Sequence, residues 1–262
     1  MQAFTDKTVL VTGASSGIGA AMARQLAARG ARLLLTARSE DKLRRLADEL
    51  KDPHGAEAHV FPHDLAEPGA ARALYGRVAD AGYAIDVLVN NAGYGKIGAF
   101  ADYGAETYAD MIGLNVTNLV ALTRLAVPGM IERGSGGILN VASTAAFQPA
   151  PHFAVYAATK AFVKSFSEAL HAEVARQGVH VTCLCPGPTD TAFHDRSGAD
   201  PDERYLLYSQ SAEAVARVGL EALLKNERLA VSGLLNKVQA AAAWATPTAL
   251  ALPLVEAVMK RS

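Results

Sequence analysis

Cysteine is nearly absent from this chain of 262 residues, which has two and therefore no disulfide-stapled scaffold. They stand at Cys183 and Cys185, two apart on a strand-like run, where they share a face but do not easily bridge. Reduced, structural thiols and a cytoplasmic location are expected. An excess of one charge is missing too. Twenty-five Lys and Arg against 26 Asp and Glu leave a formal charge of -1, which excludes the strongly basic face of a dedicated nucleic-acid binder. The amino terminus lacks a basic stretch followed by a long apolar run, so no secretory signal is expected. The seven histidines show no paired helical spacing and no companion ligands, so no metal site is expected. Repeats, low-complexity linkers and hairpin signals are also lacking, and residues 1–262 read as a single domain. Half of the residues are apolar and 19% charged, enough to bury a sizeable core.

Strand-like runs alternate with helical patterns along the chain. Thr8 to Val11, Arg32 to Thr36, Ala58 to Phe61, Ile85 to Val89, Gly137 to Val141, Val179 to Leu184 and Leu229 to Val231 read as seven strands. Helical patterns lie between them, from Ile18 to Arg29, from a Ser39 cap to Leu50, from Pro68 to Ala81, from Thr107 to Glu132 and from Val155 to Gln177. Strands separated by helices require parallel crossovers, and continuously apolar strands suit a sheet covered on both faces. The expected fold is α/β, a Rossmann-type doubly wound, mostly parallel seven-stranded sheet that binds ligands beyond the carboxyl ends of its strands. Residues 238–255 carry no charge. Their length reaches only the lower limit of the roughly 17–25 residues of a membrane span. The segment, about 238–259 in full, is read as an element packed on the domain or on a neighbouring subunit, with peripheral membrane contact as the alternative.

The first strand runs into Thr12-Gly13-Ala14-Ser15-Ser16-Gly17-Ile18-Gly19, and a helix begins at once. Glycines remove the Cβ atoms that would hold a pyrophosphate off the backbone, and the helix N-terminus supplies amide donors with a favourable dipole. Between strand and helix, this spacing points to a dinucleotide.

Together with Asp64-Leu65, Asn90-Asn91-Ala92-Gly93, Asn115, Ser143, the pair Tyr156 and Lys160, and Pro186-Gly187, the glycine motif makes the chain from about Lys7 to Thr191 resemble the short-chain dehydrogenase/reductase family in its compact, single-domain branch. The resemblance implies a hydride-transferring oxidoreductase with Asn115, Ser143, Tyr156 and Lys160 as catalytic residues. Ser143 would hydrogen-bond the substrate oxygen, and Asn115 would hold a water linked to the lysine. It also implies nucleotide contacts from Gly13, Ser15, Ser16, Gly17, Ile18 and Gly19. Asp64 and Leu65 would meet the adenine, and Asn91, Ala92 and Gly93 would run under the adenosine ribose. Pro186, Gly187, Thr189 and Thr191 would reach the nicotinamide amide, with Tyr156 and Lys160 near its ribose.

Elementary chemistry supports the central pair. Tyr156 and Lys160 are four apart near a helix start and project from one face. A free phenol, with a pKa of about 10, is a poor base at neutral pH, and a nearby ammonium favours its phenolate. Cofactor choice is read from the end of the second strand. An enzyme preferring NAD usually carries an acid there, whereas this chain has Ala37 followed by Arg38 and Ser39. A small residue followed by a guanidinium suits a 2′-phosphate, so NADP(H) is expected over NAD(H).

The leading reading is an NADP(H)-dependent oxidoreductase acting on a small-molecule ketone or secondary alcohol, assembled as a homodimer or homotetramer. A catalytically silent NADP(H)-binding regulator is the alternative, and an epimerase or dehydratase of the longer related branch would need a different glycine spacing. Residues 192–212 are expected to form a variable lid over the substrate. Tyr94, Phe147, Phe153 and Phe193 are candidates for an apolar pocket wall.

Overall fold

The structure is a computed structural model that describes residues 1, 3–191, 193, 197 and 209–259. Most of the expected lid, residues 192–212, lies outside the described residues. Strand β1 (Thr8–Thr12) leads to α1 (Gly17–Ala27), β2 (Arg32–Thr36), α2 (Glu40–His54), β3 (Ala58–Val60), α3 (Ala70–Asp80) and β4 (Val87–Asn90). Then come α4 (Ala105–Ile112), α5 (Asn118–Glu132), β5 (Gly136–Val141), α6 (Ala154–Val174) and β6 (Val179–Cys185). The short strands β7 (Thr189–Asp190) and β8 (Gln210–Ser211) pair with each other, apart from the main sheet. Helix α7 (Ala212–Leu224), strand β9 (Leu229–Val231), and helices α8 (Leu234–Ala245) and α9 (Thr248–Met259) complete the chain.

The main sheet has seven strands in the order β3-β2-β1-β4-β5-β6-β9, all parallel. The order of strands reverses its progress between β1 and β4, and loops leaving those two strands splay to opposite sides and open a crevice. The twofold period of each strand sorts its side chains. Val9 and Val11 pack toward α1, α2 and α7, whereas Leu10 packs toward α3, α5 and α6. Both faces are covered, and Leu10, Leu33, Leu34, Leu35 and Leu88 are fully buried. Each such leucine stabilises the fold by about 2 kcal/mol relative to exposure.

Two expectations about helices are refined. The pattern over Thr107 to Glu132 is not one regular helix, because Gly113–Thr117 winds as a π turn between α4 and α5. Taken as one run, Ala105–Glu132 is long and apolar enough to cross a membrane. Its Leu119, Leu122, Ala126 and Met130 are instead buried in the protein's own core. The uncharged carboxyl-terminal stretch is divided at Thr246 and Pro247 into two helices of 12 residues each, shorter than the roughly 20 residues that span a bilayer.

A buried polar chain fixes α6 to the sheet. Asn90 Nδ2 donates to Thr123 Oγ1 at 3.0 Å and to Asn140 Oδ1 at 2.9 Å. Asn140 Nδ2 donates to Ser167 Oγ at 2.9 Å, and that hydroxyl donates to Val163 O at 2.6 Å. Such a chain is stabilising only when its members are satisfied, and it sets the height of α6 relative to β4 and β5.

Candidate active site

The crevice above β1 and β4 opens into a cavity of about 1380 Å³. The glycine loop forms one end. Gly13 and Gly17 take left-handed φ values of +66° and +55°. A Cβ on Gly19 would stand 2.4 Å from Gly13 O, so the strand-to-helix turn closes only because that residue has none. Ser16 precedes α1 without a capping bond from its side chain. Its hydroxyl, the nearby amides and the helix dipole together suit an anionic group.

Thr12, expected only as part of the motif, ties this loop to the next. Its Oγ1 accepts from Asn91 N at 2.9 Å and Ala92 N at 3.0 Å, and donates to Val89 O at 3.1 Å. Asn91 Nδ2 returns bonds to Thr12 O at 2.9 Å and Gly13 O at 3.3 Å. Two loops from neighbouring strands thus form one rigid wall.

At the end of β2, Arg38 stands 64% exposed with its guanidinium 3.9 Å from Asp64, an arm's reach from solvent. The Ser39 hydroxyl makes no capping bond to α2. His63, which sequence reasoning missed, lines the same end, and its Nε2 is buried without a hydrogen-bond partner among the described residues. A buried, unsatisfied ring nitrogen in a cavity wall calls for an occupant that can bond it. Only residue order beside Asp64 could have signalled it.

The other end of the cavity holds the expected catalytic residues. Tyr156, 7% exposed, stacks on Phe153 with ring centroids 4.2 Å apart and meets the Phe193 ring at 5.5 Å. Lys160 is buried one turn later, with its Nζ 5.6 Å from the Tyr156 ring and donating to Val141 O at 2.9 Å. Burial lowers its pKa from the usual 10.5 to about 8. Ser143 closes β5, and its Oγ accepts from Ala145 N at 3.1 Å, which leaves its proton available for donation.

Asn115 occupies the π turn and is 1% exposed. Its Oδ1 accepts from Tyr94 N at 3.1 Å, while Nδ2 donates to Tyr94 O at 2.9 Å and Thr159 Oγ1 at 3.1 Å. Thr159 in turn donates to Tyr156 O at 2.7 Å. A Cβ on Gly93 would lie 2.9 Å from Asn115 Oδ1 and 3.3 Å from Lys160 Nζ, so that glycine lets the three groups close up.

Apart from Gly19 and Asn115, every expected catalytic and nucleotide-contacting residue lines this cavity. Gly19 is buried in the turn and Asn115 sits behind Gly93 and Tyr94. Of the four aromatic candidates, Tyr94, Phe153 and Phe193 line the space. Phe147 does not. The short turn Thr144–Phe147 carries it against the cluster of Leu119, Cys183 and Cys185, under the Lys164 ammonium at 5.2 Å.

Comparison with known proteins matches the short chain dehydrogenase pattern over residues 7–202, three quarters of the chain. The chain belongs to the short-chain dehydrogenase family. An uncharacterized oxidoreductase of Staphylococcus epidermidis is 36% identical over 211 residues, covering 80% of this chain and 89% of that protein. A short-chain dehydrogenase of Sphingobium yanoikuyae in complex with NADPH superposes with a TM-score of 0.81 at 32% identity, covering 93% of this chain and 97% of its own. A second family member, from Burkholderia phymatum in complex with NAD, gives 0.81 at 26% identity over 92% and 94%. This dehydrogenase is therefore an oxidoreductase of a nicotinamide-using family. The cavity's residues fit such a cofactor, because the tight glycine turn, the unsatisfied His63 nitrogen and the exposed Arg38 all face the same space.

Proposed function

We propose that this dehydrogenase is an NADP(H)-dependent carbonyl reductase or alcohol dehydrogenase in which Tyr156 exchanges a proton with the substrate oxygen. One observation carries the reading: the phenol of Tyr156 and the amine of Lys160 lie side by side on α6, in one cavity with Ser143 and the glycine loop. The glycine loop would hold the pyrophosphate. Asp64 and the Asn91 to Gly93 segment would seat the adenosine, and Pro186 to Thr191 would border the nicotinamide. A bound reduced nicotinamide supplies a hydride to the carbonyl carbon.

The chain's own groups handle the oxygen. Ser143 donates a hydrogen bond to the carbonyl, which polarises it and holds it beside the phenol. Tyr156 gives up its proton as negative charge develops on that oxygen. Lys160, protonated below its pKa of about 8, stabilises the phenolate left behind. Asn115, bonded to Thr159 and to the Tyr94 backbone, keeps the wall beside Lys160 in place. In the oxidative direction each proton moves the opposite way.

Ala37, Arg38 and Ser39 support NADP(H) over NAD(H). The three residues directly after β2, Ala37 to Ser39, carry no carboxylate to repel a 2′-phosphate, and the exposed guanidinium can swing from Asp64 to meet one. The test is NADPH consumption at the reduced-nicotinamide absorbance band with a panel of ketones. Turnover that disappears in Tyr156→Phe while NADPH still binds supports the reading. Tight NADPH binding without turnover of any carbonyl, or full activity in Tyr156→Phe, overturns it.

A further inference from the structure

The cavity is larger than the roughly 300–1,000 Å³ of a common small-molecule site, and its two ends differ in chemistry. The nucleotide end contains Arg38, His63 and Asp64. Beyond Tyr156 the opposite wall is built by the carboxyl-terminal helices. Ala240, Ala243 and Thr246 at the end of α8, with Ala251 and Val255 of α9, line the space. Gln239 and Ala242 of α8 line it too; none of these seven side chains is charged, and five of them are no larger than threonine. Ala240 and Ala243 are three apart and so share a helix face.

The α8 part of that wall is fixed in place. Asn236, one turn before Ala240, is buried and donates from Nδ2 to Ser232 O at 2.7 Å. It packs so tightly on the turn after β6 that a Cβ on Gly187 would come within 2.2 Å of it. The small-residue face of α8 is thereby held toward the cavity, close to the Thr144–Phe147 turn that follows Ser143. On the near side, the Phe153 ring stacks on Tyr156 and the Phe193 ring tilts against it.

We propose that the space between these two rings and the α8–α9 wall is a substrate subsite for uncharged ketones that carry bulky apolar groups, with Ala240 and Ala243 setting its depth. The inference rests on the oxidoreductase reading above and adds the substrate class. Its reasoning is volumetric and electrostatic. Alanine at both positions leaves room that a small ketone cannot fill, so a small ketone forgoes burial of apolar surface and is held loosely. Among the described residues the α8–α9 wall has no cation, so a substrate carboxylate would be costly to desolvate against it; the Lys96 ammonium in the same cavity lies on the loop after β4.

The experiment compares kcat/KM for NADPH oxidation with butanone, decalone, benzophenone and the para-carboxylate of benzophenone. Decalone or benzophenone is expected to exceed butanone by at least about tenfold, and the carboxylate to fall at least about tenfold below benzophenone. Ala243→Phe is expected to lower the bulky-to-small ratio by at least about tenfold without weakening NADPH binding, measured by nicotinamide fluorescence. Ala243→Val, a milder change, should shift the ratio in the same direction. A flat wild-type series, preference for the carboxylate, or a ratio unmoved by both variants overturns the inference. If ketones are reduced in a Tyr156-dependent way but without a bulk preference, this inference alone fails. If no ketone is reduced, the carbonyl-reductase reading fails and takes this one with it.

Discussion

Burial of Lys160 makes a prediction about stability as well as chemistry. In the unfolded chain its amine titrates near 10.5, and in the folded protein near 8. The folded state therefore binds the proton less tightly, so below both values the buried ammonium is a cost. That cost is present in full below pH 8 and is relieved as pH climbs from 8 toward 10.5. The fall from 10.5 to about 8 corresponds to roughly 3 kcal/mol in total. Between pH 7 and pH 9 the lysine alone should make the fold more stable by roughly 1 kcal/mol. Other groups titrate in that range, so the informative quantity is a difference between proteins. Urea unfolding of the cofactor-free wild type and of Lys160→Met at both pH values isolates the lysine. The stability of the Lys160→Met variant minus that of the wild type should shrink by roughly 1 kcal/mol from pH 7 to pH 9. A difference that stays constant, or that widens with pH, would refute the claim that burial depresses this amine.

Four further outcomes follow from the geometry. Arg38→Ala should raise KM for NADPH by about tenfold or more and leave KM for NADH within a few fold, and steady-state kinetics with both cofactors checks it. Gly19→Ala forces a Cβ to within 2.4 Å of Gly13 O, so nucleotide binding by titration calorimetry should be lost or greatly weakened. Asn140→Ala leaves one buried Asn90 N–H unpaired, while Asn90 keeps its bond to Thr123 and Ser167 its bond to Val163 O, so a loss of about 1–3 kcal/mol is expected in chemical denaturation. Gly95→Ala would bring a Cβ to 2.6 Å from the Phe153 ring and 2.8 Å from Tyr156, so kcat should fall while NADPH affinity changes little.

The fold was legible because the sheet is parallel and covered on both sides. Runs such as Val9-Leu10-Val11 and Leu33-Leu34-Leu35 must then be apolar at every position, and their shortness and the helical patterns between them mark them as strands. The glycine turn and the Tyr156 and Lys160 pair were legible because each depends on neighbours in sequence. What escaped depends on distant contacts. Thr12 reads as a strand end until Asn91 and Ala92 are placed over it. Asn90, Asn140 and Ser167 are ordinary polar residues until three elements bring them into one chain. Phe147 had the right chemistry for a pocket wall, but a single short turn sent it to the opposite side. The break between α8 and α9 was signalled by Pro247, yet the side of α8 that meets the cavity is chosen by the lock between Asn236 and Gly187.

The five residues Gly113–Thr117 carry a consequence for how this site tolerates change. A π turn holds one residue more than the regular winding around it, so it behaves as an insertion that the helix has absorbed. Removing a single residue there would let the backbone anneal into ordinary α geometry, with α4 and α5 keeping their faces while the wide turn itself is lost. Asn115 would then swing out of register with Tyr94 and Thr159, while the helix itself became more regular. Length at this spot is therefore constrained from the side of chemistry, and a better helix would make a worse enzyme.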